Sequence, residues 1–307
     1  MAGGSPNGLS RLADHHRCPW SWYGKYKLEL QLKGSQSPEA ALGSCGHYCL
    51  EQFFLALRDG HPTPKPHELE GPLKQIATGH ETQVAESLKW YQAWLAHWSV
   101  APWAGRPVGI EAVFEATLGE IFPEMAKKYP HLVHRLKSIA CDLIWEDPEG
   151  FLWIYDHKSK DGQERDYSTK GLRRRTEHIN PYLVTPQNHR TQFYFYPHVL
   201  RLFTQQVVAG VRIHRYLRSE PYDFSVENIR MPMISANHSI EHIFALEDAL
   251  VRTEERLDQG IAPVHNHFGC WFGDAGDAEP TTKKRSCQYL NLCCAPDAAN
   301  REYALNT

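Results

Sequence analysis

Ser138 to Lys160 reads SIACDLIWEDPEGFLWIYDHKSK, and the fold turns on how this stretch is read. Two apolar runs of strand type flank Glu146-Asp147-Pro148-Glu149-Gly150, a turn-rich five, which is the pattern of a β-hairpin. Each run carries one acid. On the second strand a period of two puts Leu152, Ile154, Asp156 and Lys158 on one face and Trp153, Tyr155 and His157 on the other. On the first strand the same rule has Asp142 share a face with Ala140 and Ile144, and a hairpin closed near residues 147–149 brings it opposite Asp156. Two carboxylates and an ammonium thus converge where apolar neighbours would normally stand. Such a trio suits a hard divalent cation beside a positive group that holds a water or a phosphate oxygen. The plainer alternative makes the acids strand-end charges with Lys158 as their surface partner, but solvation alone explains poorly an acid inside each of two strongly apolar strands.

The chain has 307 residues, enough for one large domain or two small ones with a substantial core. Its 42% hydrophobic and 22% charged content is that of a soluble globular protein. No run reaches the roughly 18 apolar residues of a membrane span, and the start MAGGSPNGLS lacks the apolar core of a signal peptide, so a cytoplasmic location is expected. A net charge of -3 neither favours nor excludes nucleic acid, because binding phosphates needs only a local basic excess. Basic clusters stand at Arg173-Arg174-Arg175, at Arg212 to Arg218 and at Lys283-Lys284-Arg285; each is a solvated face or a binding patch.

Outward from the hairpin, residues 1–9 read as a tail and residues 10–307 as one domain. A helix is expected from about Ala40 to Arg58, ended by Gly60 and Pro62, with His47 and Glu51 one turn apart. The proline-rich HPTPKPHELEGP reads as a linker into a second helix, about Glu81 to His97, within a helical region of about 65–105. A strand near Pro107 to Ala116 puts Glu111, Val113 and Glu115 on one face. The expected core of about 107–218 then holds the hairpin, a long polar segment, a helix from about Thr185 to Phe203 that Pro197 should kink or break, and a strand from Gln205 to Leu217. An amphipathic helix from Ser239 to Gly260 leads to a cysteine-rich end, about 261–296.

Eight cysteines in such a chain point to metal or redox chemistry, or to burial, before disulfides. Cys270, Cys287 and Cys293 need a fourth ligand for a tetrahedral zinc or a cubane iron–sulfur cluster, and Cys18 is the candidate. Cys294 can replace Cys293, and His265 or His267 can enter a zinc site.

An ordered series now stands along the chain: Cys18-Pro within SRLADHHRCPWSWYGKYKL, His47 in GSCGHYCLEQF, Asp142 in CDLIW, Asp156-x-Lys158 in IYDHKSK, Gln192-x3-Tyr196 in QFYFY, and the final C-x5-C. In order and coarse spacing, from residue 10 to about 295, this series resembles the RecB-type PD-(D/E)XK nucleases. More narrowly it resembles their Fe–S-containing branch, with AddB-type nuclease domains, CRISPR-associated exonucleases and related phage proteins.

The resemblance implies an α/β fold with a mixed central sheet flanked by helices, a helical insertion and a C-terminal Fe–S subdomain joined to Cys18. It implies that His47, Asp142, Asp156 and the backbone carbonyl of His157 bind Mg²⁺ or Mn²⁺. Lys158 would orient or deprotonate the attacking water, Gln192 and Tyr196 would contact the scissile region, and Cys18, Cys270, Cys287 and Cys293 would hold a 4Fe-4S cluster, with zinc as the alternative. Glu111 lies where some members supply an extra acid. The second acid is Asp where many members have Glu, the spacing before Cys287 is longer than in compact relatives, and Pro197 directly after Tyr196 is unusual. The expected activity is metal-dependent cleavage of DNA, exonucleolytic and directed to single strands or ends, with Arg173, Arg174 and Arg175 beside the substrate path. The rival readings are a non-catalytic nucleic-acid-binding or adaptor protein on the same fold and a zinc-stabilised structural protein.

Overall fold

The hairpin forms as its sequence dictates. In the computed structural model, which describes residues 7–32, 37–160, 189–217, 220–229, 233–263 and 303–305, two strands span Leu136–Glu146 and Leu152–Lys160. Asp147 closes the turn: its carboxylate accepts from the N–H groups of Glu149 (3.1 Å) and Phe151 (2.8 Å) and from the Trp153 indole (2.8 Å). Gly150 supplies the left-handed residue, at φ 83°.

Around it the described elements run in chain order: α1 (Leu9–Arg17), α2 (Pro19–Tyr26), β1 (Leu30–Leu32), α3 (Pro38–Asp59), α4 (Pro66–Ile76), α5 (Glu81–Val100), β2 (Arg106–Thr117), α6 (Leu118–Ile121) and α7 (Pro123–Ala126). After a short 3₁₀ turn (Pro130–Leu132) come β3 and β4, the two hairpin strands, then α8 (His189–Thr204), β5 (Val208–Leu217), β6 (Phe224–Ile229), α9 (Met233–Asp258) and β7 (Tyr303–Leu305). Among the described residues the main sheet has five strands in the order β2-β3-β4-β5-β6. Among these described strands only the β4–β5 pair is parallel; its crossover contains α8. A separate antiparallel pair, β1 with β7, joins the two ends of the chain.

Two apolar layers sandwich the sheet. Ile139, Cys141, Ile144, Leu152, Ile154, Val211 and Ile213 face α8 and α9, whose Phe195, Val199, Ile243 and Phe244 are buried on them. Leu143, Trp145, Tyr155 and Tyr216 face α3 to α5, through Phe53, Phe54, Leu73 and Trp94. The second layer seats α3 tightly: a Cβ on Gly46 would stand 2.5 Å from the Tyr216 hydroxyl, so only glycine lets helix and sheet approach at that level. Ser37 caps α3, accepting from the Ala40 N–H at 3.2 Å, and Gly60 ends it at φ 69°.

Several expectations are corrected. The proline-rich linker contains α4: Pro66 begins the helix, and buried Leu69 and Leu73 hold Pro72 inside it. Pro197 does not break α8, because Phe195, Val199 and Leu200 pack both halves onto one apolar layer, and that burial outweighs a penalty of about 3 kcal/mol. The residues around Cys18 are helices α1 and α2, and β6 adds a strand after β5.

The simple alternation fails on β2 and β3, at one shared level. On β3, Ile139 and Cys141 face the α8–α9 layer but Leu143 and Trp145, of the same parity, face the α3–α5 layer; Ala140 is exposed. On β2, Ala112 and Phe114 pack on the first layer and Ile110 on the second. The change falls at Asp142 and Glu111. Glu111 has a left-handed backbone, φ 46°, which turns the strand over. Asp142 therefore does not share a simple face with Ala140 and Ile144.

Candidate active site

The level where the strands turn over is where the polar groups gather. His47 of α3, Glu111 of β2 and Asp142 of β3 each offer a ligand atom, all within 4.8 Å of one another. His47 Nδ1 stands 3.8 Å from both Glu111 Oε1 and Asp142 Oδ2. Three separate elements thus supply one imidazole and two carboxylates, a donor set for a hard divalent cation.

The β3–β4 ladder stops at Leu143↔Tyr155, one step short of the two aspartates. There the His157 backbone N–H donates to Asp142 Oδ2 at 2.7 Å in place of a ladder bond. Asp156, 6% exposed, lies beside it on β4 and is held by Lys158, whose Nζ is 3.0 Å from Oδ1 and 2.9 Å from Oδ2. Asp156 and Lys158 point together, as their spacing predicts, and here their charges meet each other.

Electrostatics mark the cluster as short of positive charge. Burial pushes the Asp142 carboxyl up to about 6 and the like charge of Asp156 adds to this, against the pull of His47, Lys158 and the His157 N–H. Burial would depress His47, but the neighbouring carboxylates of Glu111 and Asp142 outweigh it and hold the imidazole above its ordinary value. A divalent cation among these groups would relieve both conditions.

Of the other sequence candidates, Tyr196 lies on α8, half-buried against the first apolar layer. Gln192 falls on the same helix, and its side chain lies outside the described residues. Cys18, 1% exposed, stands between α1 and α2. Arg173, Arg174, Arg175, Cys270, Cys287, Cys293, Cys294, His265 and His267 lie outside the described residues. Sequence reasoning gave Glu111 a marginal place; its left-handed backbone and its approach to His47 are tertiary facts with no local signal. It missed His214, the buried strand partner of His157, for which a histidine amid the apolar run of VRIHRYL was the available sign.

A mixed five-stranded sheet with helices on both faces, and a histidine–carboxylate cluster where its strands turn over, make an α/β protein with a candidate divalent-cation site. The family model of the PD-(D/E)XK nuclease superfamily matches residues 8–294, and the chain belongs to that superfamily. Among solved structures it is similar to one described as a "Putative exonuclease" from Eubacterium rectale, with 13% identity, 84% of each chain covered and a TM-score of 0.48. No curated protein matches the sequence. No helix among the described residues is long and apolar enough to cross a membrane.

Proposed function

We propose that this nuclease is a Mg²⁺- or Mn²⁺-dependent phosphodiesterase that degrades DNA as an exonuclease from single strands or ends. The observation that carries this reading is the convergence of His47, Glu111 and Asp142 within 4.8 Å, next to the Asp156–Lys158 pair. A divalent cation held by His47, Glu111 and Asp142, with Asp156 and the His157 carbonyl adjoining, would neutralise the scissile phosphate and make water acidic enough to attack. His47 offers a neutral nitrogen once its proton leaves. Asp142 offers the carboxylate that the His157 N–H aims. Lys158 positions the attacking water and balances the charge that grows on the phosphoryl oxygens as the water oxygen bonds to phosphorus and the sugar oxygen departs with a proton. Gln192, Tyr196 and Arg173 to Arg175 serve the strand on either side of the reacting phosphate.

The same reading gives Cys18, Cys270, Cys287 and Cys293 a 4Fe-4S cluster. Its support is how the chain ends meet. Glu254 of α9 pairs with Arg11 of α1 and with Lys27 (3.2 Å), and β7 lies beside β1. Cys18 lies between these attachments in sequence. Protein purified anaerobically is expected to be brown and to lose colour and iron in Cys18→Ser; colourless protein containing zinc would refute the cluster.

The test of activity is degradation of 5′- and 3′-labelled single and double strands with and without Mn²⁺. Wild type should release short products from ends only with metal, and Asp142→Ala, Asp156→Ala and Lys158→Ala should lose at least ~10²-fold in rate while remaining folded. Binding of DNA without turnover, or full activity in the variants, would refute the assignment.

A further inference from the structure

Two imidazoles adjoining the acidic cluster take no part in the hydrolysis proposed above. His157 of β4 and His214 of β5 are partners in the parallel ladder and are 2% and 0% exposed. Their Nδ1 atoms stand 3.0 Å apart. A hydrogen bond between two Nδ1 atoms has room for one proton, so one ring presents Nδ1–H and the other a bare nitrogen, and the rings occupy opposite tautomers.

Each ring is also fixed sterically. His157 lies parallel to the Phe54 ring, 5.8 Å between centroids and 2° between planes. His214 is enclosed by Trp94 (4.9 Å) and Trp103 (5.2 Å). Neither Nε2 has a hydrogen-bond partner among the described residues, which leaves the Nδ1 contact as the polar restraint on both rings.

This restraint bears on the cluster because the His157 backbone does two things at once. Its side chain points into the aromatic layer while its N–H donates to Asp142 Oδ2, at the place where ladder hydrogen bonding between β3 and β4 has stopped. The β4–β5 ladder holds the His157 backbone from the other side, and on the β3 side, where no ladder pair stands at this level, the anchored ring adds the restraint that keeps the N–H aimed. We infer that His214 is a positioning residue: through its Nδ1 contact it locks His157, and through the His157 N–H it fixes the Asp142 carboxylate in a cation-binding orientation. Partners one shell out from a ligand commonly set its affinity in this way. The inference rests on Asp142 being a metal ligand, and the experiment separates the two.

The full chain, labelled with ¹⁵N-histidine, should show a through-hydrogen-bond ¹⁵N–¹⁵N coupling between two imidazoles in metal-free protein, and Asp142→Ala should shift the His157 amide resonance. His214→Phe should abolish the coupling, move the same amide in the same direction, and weaken Mn²⁺ binding measured by calorimetry by about tenfold. His214→Gln, which keeps a donor and an acceptor, should recover most of that affinity. Wild-type affinity and an unmoved His157 amide in His214→Phe would overturn the inference, as would an absent coupling in wild type, which decides the matter even if the Phe variant does not fold. If Asp142→Ala binds Mn²⁺ as tightly as wild type, the ligand assignment of Asp142 fails, whereas the amide shift in His214→Phe still reports whether His214 holds the carboxylate.

Discussion

Glu111 carries two properties in one residue, a backbone at φ 46° and a carboxylate 3.8 Å from His47. The first costs stability, since a side chain in the left-handed region crowds its own backbone by about 1–2 kcal/mol where glycine does not. The second serves the cluster. The two separate by substitution: Glu111→Ala and Glu111→Gly both remove the carboxylate and both should weaken Mn²⁺ binding, but metal-free Glu111→Gly should be more stable than Glu111→Ala by about 1 kcal/mol in urea unfolding. Equal stability would mean that the strand does not turn over at this residue. The contrast with Asp156 shows what was legible in the sequence. Asp156 and Lys158 sit where the register of β4 with β5 runs unbroken from Trp153 to Lys160, so a period of two puts them on one face. Asp142 and Glu111 sit where the period reverses, and alternation cannot announce its own failure.

Among the elements, α9 meets β3 through charges rather than apolar contact alone. Lys137, 1% exposed, forms an ion pair with Glu247, 0% exposed; Arg135 donates to Glu247 at 2.7 Å and lies 3.1 Å from Glu254. Burial would raise the Glu247 carboxyl, but Lys137 and Arg135 outweigh it and hold it below the ordinary range. Breaking one side of such a pair leaves an uncompensated charge, whereas replacing both is often nearly neutral. Lys137→Met should therefore cost about 3 kcal/mol, and Lys137→Met combined with Glu247→Leu should regain most of it, with Arg135 keeping Glu254. A double-mutant cycle by urea unfolding checks this, and additive losses would contradict it. Long periodic elements such as α3, α5 and α9 were readable because their apolar faces repeat. The role of Lys137 was not, since a lysine in strand sequence looks like a solvent-facing residue until its partner, 110 positions on, is known.

For the whole molecule, contacts between α1 and α9 bear on the response to acid. His15 of α1 is buried, bonds Thr253 of α9 at 2.9 Å, and has its imidazole pushed down to about 4, by burial first and by His16 next. Unfolded histidine titrates near 6.5. The folded value is the lower, so between about 6.5 and 4 the unfolded chain takes up a proton that the folded chain refuses, and stability falls as the pH falls through that window. Each such imidazole can contribute up to about 1.4 kcal/mol per pH unit there. Glu247 adds a loss that begins only below about 4.5, as its depressed carboxyl comes to be protonated in the unfolded chain first. Glu247 pairs with Lys137 of β3, and the imidazoles of His157 on β4 and His214 on β5 are pushed down by burial in the same sense as His15, His214 to about 3. Acid should accordingly weaken the sheet together with the attachment of α1. Amide exchange followed by mass spectrometry from pH 7 to pH 4, corrected for intrinsic rates, should show protection falling in both Leu9–Arg17 and Leu152–Lys160. His15→Gln, which can still bond Thr253, should flatten the upper part of the stability profile; a profile unchanged from wild type would show that His15 does not contribute to the acid response of this fold.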